Sequence, residues 1–105
     1  MKYVLYYDTT DAAKAAERVM ASRALGEKMK EEEKKLKAVT PSYSHADLSG
    51  GVQIVETDDI EELVGMIAFY HGATKIRAVP IIELDRLMWI ADEVNKILPE
   101  GHQLG

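Results

Sequence analysis

The segment Asp47-Leu48-Ser49-Gly50-Gly51 constrains this chain more than any other, because it lies between two β-prone runs. Adjacent glycines supply the positive φ values of a tight connection, so residues 38–46 and 52–56 are expected to pair as an antiparallel hairpin. Pro41 lies within the first run, has no N–H for a ladder, and assigns that run to a sheet edge or a bulge. On a regular strand Val39, Tyr43 and His45 would share one face. The hairpin leads into Thr57-Asp58-Asp59-Ile60-Glu61-Glu62, where Asp58 is placed to cap a helix and Glu61 to reach back to it. Leu63, Ile67 and Tyr70/His71 follow at helical spacing, and Gly72 stops the helix.

Residues 3–7 are aromatic and β-branched, and Asp8-Thr9-Thr10-Asp11 closes this short strand with a helix entry. Strong helix formers then continue from Ala12, with no proline before Pro41. One helix over residues 11–37 would run about 40 Å at 1.5 Å per residue, longer than so small a domain is wide. Gly26 is therefore the expected break. Residues 27–37 read as a charged helical extension with Glu31/Lys35 and Glu33/Lys37 at i,i+4 spacing; it is either a solvated face or a partner-docking arm. Residues 75–82 suit a fourth strand, with Pro80 again marking an edge or a bulge. Leu84, Leu87, Ala91, Val94 and Leu98 predict an amphipathic helix ending before Pro99, and residues 99–105 a tail.

The order β-α-β-β-α-β plus a C-terminal helix predicts an α+β, ferredoxin-like fold in which two helices cover one face of an antiparallel sheet. With 105 residues there is material for one domain, over residues 1–98. The other sheet face would be apolar in either register: Tyr3, Leu5 and Tyr7, or Val4 and Tyr6; Val52 and Ile54; Ile76, Ala78 and Ile82, or Val79 and Ile81. A monomer would leave that patch wet, so either the last helix or a second subunit must cover it, and a homodimer is expected.

Composition removes several functions. A net charge of -5 argues against long-range attraction to nucleic acid or anionic lipid. No cysteine means no disulfide, thiol nucleophile or thiolate metal site. The N-terminal apolar run is too short for a signal-peptide core, and no run approaches the roughly 18 apolar residues of a membrane helix, so a cytoplasmic protein is expected. There is no Gly-rich phosphate loop and no G-x-S-x-G elbow. An RNA-recognition module shares the strand order but needs aromatics on two central strands; residues 51–56 carry none.

The stretch 47–51, the strand 52–55, the entry Glu56-Thr57-Asp58-Asp59 and residues 76–82, with Val79-Pro80-Ile81 at their centre, resemble short uncharacterised ferredoxin-like domains allied to the dimeric α+β barrel superfamily. The likeness spans residues 43–83. It implies a dimer in which two sheets pack together, without implying an activity. This chain departs from the pattern in a longer first helical region and in Phe69-Tyr70-His71, where the family tends to have Trp-Ser-Asp.

Two functions stay open. One is a dimeric module binding a small ligand or a protein partner; the other is a small cofactor-independent enzyme, monooxygenase- or isomerase-like, acting on an aromatic or lactone-like compound. The phenols of Tyr7, Tyr43 and Tyr70 suit either a core margin or a pocket for a flat ligand. His45, the candidate acid/base, is the group beside them that exchanges protons near neutrality, and His71 is a further candidate. Neither histidine forms an H-x-x-x-H pair, so no metal and no cofactor is expected. Glu56 and Arg77 read as a cross-strand ion pair or as anchors for a ligand. Trp89 reads as a packing anchor.

Overall fold

The computed structural model describes residues 1–28 and 35–104. Its elements are β1 (Lys2–Thr9), α1 (Ala12–Lys28), β2 (Lys37–Ala38), β3 (Tyr43–Ser44), β4 (Gly50–Glu56), α2 (Ile60–Phe69), β5 (Thr74–Ile81) and α3 (Leu84–Asn95), with a 3-10 turn at Glu100–His102. The sheet is antiparallel with order β2-β4-β1-β5, and β3 also pairs with β4. The result is an α+β chain consistent with a ferredoxin-like arrangement.

β2 and β3 are two pieces of one edge. Thr40 divides them: its Oγ1 accepts from the Ile54 amide at 3.0 Å, while the Val39 and Thr40 amides both donate to the Ile54 carbonyl. Two amides on one carbonyl make an irregularity beside Pro41, so this run is both an edge and interrupted, and its residues do not alternate regularly. β5 forms the opposite edge, where Pro80 costs no ladder bond.

The hairpin turn is not made by its glycines. Leu48 holds the positive φ, at 65°, with Asp47 Oδ1 accepting from the Ser49 amide. Gly50 and Gly51 are buried inside β4 and serve close approach instead. A Cβ on Gly50 would meet the Tyr7 carbonyl, and one on Gly51 the Tyr7 phenol, so the ring lies over a strand position without a side chain.

Asp11 caps α1 by accepting from the Lys14 amide at 3.0 Å. The helix passes through Gly26 rather than breaking there, since residues after it stay helical to Lys28. Glu31 and Glu33 lie outside the described residues. Lys35 and Lys37 are not helical: Lys37 opens β2 and Lys35 bonds Asp59 at 3.2 Å. α2 is capped by Asp59, which accepts from the Glu61 amide, whereas Asp58 is exposed one residue too early. Gly72, with φ at 86°, follows the C-cap.

Leu5 of β1, Val55 of β4 and Leu63 of α2 form the core, flanked by Tyr3, Met66, Ile76 and Ala78. α2 therefore packs on the sheet face that carries Tyr3, Leu5 and Tyr7, whereas α1 has no buried residue. α3 has no buried residue, and Leu84, Leu87, Met88 and Trp89 are each more than half exposed. The radius of gyration is 17.7 Å, with a longest extent of 55 Å. A compact chain of this length would have about 13 Å. Beyond α3 the tail turns back, with the Leu104 amide donating to Asn95 Oδ1 and Gln103 to the Asn95 carbonyl.

Candidate functional site

Strand alternation sends every second residue of β1 away from the helices, and the pairing register carries that choice across the sheet. Val4 stands opposite Ile54 and Val79, Tyr6 opposite Val52 and Arg77, and Asp8 opposite Gly50 and Lys75. Tyr43 stands opposite Val52 and so extends the Tyr6 row to the β3 edge. Toward one end this open face carries the aliphatic residues Val4, Ile54, Val79 and Ile81, with Lys2 and Glu56 in the row of Ile81. The other end is aromatic and charged. Within it the Arg77 guanidinium lies over the Tyr6 ring at 4.8 Å, and no hydrogen-bond or ion-pair partner holds Arg77 among the described residues.

Glu56 and Arg77 are not partners, because β1 runs between their strands. Glu56 instead stands opposite Lys2 on one side and Lys37 on the other. Tyr7 is on the helix-covered face, its hydroxyl bonded to Ser42 Oγ and donating to the Tyr43 carbonyl. Tyr43 is on the open face, so the two tyrosines do not share a pocket. Tyr70 lies at the end of α2, with its ring edge-on to Phe69 at 5.2 Å.

His45 is exposed at the hairpin tip, where Nδ1 lies 3.2 Å from Ser49 Oγ. Ser49 holds the Asp47 carboxyl below the usual carboxylate range, through its hydroxyl first and its amide second. These bonds shape a solvated turn. His71 is exposed after α2, and among the described residues no three His, Asp or Glu side chains converge as a metal site would require.

The helix side carries a groove of about 600 Å³ between α1 and α2. Gly26 and Gly65 leave it open, Leu25, Met66 and Phe69 make it apolar, and Asp59 stands at its rim. Neither His45 nor His71 lines it. Lys35 holds the Asp59 carboxyl down by hydrogen bond, helped by the Glu61 amide, and Asp59 in turn raises Lys35.

A family model described as a domain of unknown function (DUF3303) matches residues 1–95. The chain belongs to this family. The match runs from β1 to the last residue of α3, so the open face, the groove and the exposed helix stripe all fall within the DUF3303 domain. The family description names no activity and makes no link to dimeric α+β barrels. No curated protein and no solved structure matches the chain.

Tyr6 is the site residue that the sequence left unmarked. Its alternation with Leu5 and Tyr7 held the signal, but only the position of α2 shows which set faces outward.

Proposed function

We propose that this DUF3303 domain works as a homodimeric binding module: two ferredoxin-like sheets face one another as a dimeric α+β barrel, with a small ligand held between them. One observation carries the reading. The Val4, Ile54, Val79 and Ile81 part of the open sheet face and the stripe of Leu84, Leu87, Met88, Ala91 and Val94 on α3 are both apolar, and none of these residues is fully buried within the chain. A radius of gyration well above that of a compact chain agrees with elements that reach for a second copy. Sheets stacked face to face lie about 10 Å apart, leaving room for side chains over the aliphatic end and for a ligand over the other.

The exposed histidines give no support to an enzyme built on His45. Light scattering tests the dimer: the expected mass is twice 11.7 kDa, and Val79→Glu, which buries a charge in the facing sheets, is expected to return the chain mass. A wild-type monomer at all concentrations would refute the dimer.

A further inference from the structure

The Tyr6 row differs from the rest of the open face in its chemistry. From edge to edge it reads Tyr43, Val52, Tyr6, Arg77. Strand spacing of about 4.8 Å separates the two tyrosines by roughly 10 Å, with the flat aliphatic patch of Val52 between them and Arg77 one strand further on. Tyr6 is 44% exposed and Tyr43 57% exposed, so both rings are within reach of a ligand.

The Arg77 guanidinium carbon lies over the Tyr6 ring, 4.8 Å from its centroid. With no other partner among the described residues, the guanidinium keeps N–H donors for an acceptor, and its fork matches a carboxylate. In the neighbouring row Asp8 stands opposite Lys75, an acid facing a base, whereas Arg77 has no hydrogen-bond or ion-pair partner among the described residues. An unpartnered guanidinium beside aromatic rings suits an anion with a flat apolar body.

We propose that the Tyr43-Val52-Tyr6-Arg77 row binds a planar aromatic carboxylate, with the ring system over Val52 between the tyrosines and the carboxylate on Arg77. This rests on the dimer, whose second sheet shuts the row off from water and strengthens the charge-assisted bond. A two-ring acid has the length to reach from Val52 to Arg77.

The experiment titrates 2-naphthoate into the protein by calorimetry, with light scattering on the same samples. Saturable binding is expected, with 2-naphthalenemethanol and cyclohexanecarboxylate each at least tenfold weaker. Arg77→Met, an exposed position, is expected to weaken binding roughly 10- to 100-fold without changing the mass. Arg77→Lys keeps the charge but not the fork and should fall between, while Tyr6→Leu should also weaken binding. A dimer that does not bind naphthoate, or binds it equally after Arg77→Met with circular dichroism intact, overturns the site and leaves the dimer standing. A monomer that binds through Arg77 overturns the dimer alone, and a monomer that does not bind overturns both.

Discussion

The same chemical change at two glycines should move stability in opposite directions. Gly50 is buried in β4, and a methyl there would press on the Tyr7 carbonyl, with the Tyr7 carbonyl carbon 3.0 Å and the Asp8 Cα 3.1 Å away. These are backbone atoms of the central strand, so no rotamer relieves the contact and β1 must shift from β4. Overpacking of this kind costs about 1–3 kcal/mol. At about 4–8 °C per kcal/mol for a domain of this size, Gly50→Ala should lower Tm by roughly 5–20 °C. Gly65 is exposed in the interior of α2, and a methyl there meets nothing within 4 Å. Alanine in a helix interior is better than glycine by about 0.5–1 kcal/mol, so Gly65→Ala should raise Tm by roughly 2–8 °C. Thermal unfolding followed by circular dichroism, with all variants at one protein concentration, measures both. A Gly50→Ala protein as stable as wild type would refute the close approach of β1 and β4.

Leu63 is 3% exposed at the centre of a core of few residues, so Leu63→Ala should cost about 2–5 kcal/mol and move the urea midpoint sharply down. Tyr7→Phe removes the hydroxyl that ties β1 to Ser42 and Tyr43 across Gly51 and should cost about 0.5–1.5 kcal/mol in the same assay. Asp59, whose carboxyl Lys35 and the Glu61 amide hold below its ordinary value, gives an acid limb. A folded pKa below the unfolded one contributes stability that is present above about pH 4 and lost as pH falls through the folded value. Asp59→Asn keeps the capping oxygen without the titration, so the drop in Tm between about pH 5 and pH 3 should be smaller in that variant; an identical drop would dismiss Asp59 as its source.

Local chemistry is legible one element at a time. Asp11 before a run of alanines caps α1, and Gly72 after Tyr70 follows α2, because caps answer to a few neighbouring residues. Pro41 and Pro80 mark edges because the lost N–H is a local fact. The hairpin between the 38–46 run and β4 is legible too, though its turn is not: Leu48 takes the left-handed conformation while the glycines go to strand positions pressed by Tyr7. That assignment depends on how closely β1 lies against β4, which no local pattern records.

The candidate site is a matter of sheet order and sheet face. Glu56 and Arg77 look like neighbours if β4 and β5 pair, and β1 between them makes them strangers. Likewise Tyr43 and Tyr7 share a composition but stand on opposite faces.

By itself, then, the order of residues determined an α+β chain with an antiparallel hairpin, capped helices, proline-marked edges and an amphipathic last helix, since each rests on interactions within a few residues. Only the tertiary structure decided which face of the sheet is open. A strand pattern of period two is equally apolar on both sides here, and the choice falls to where Leu63 of α2 lands on Leu5 and Val55. That contact buries one set of side chains and leaves Tyr6, Val52, Tyr43 and Arg77 outside.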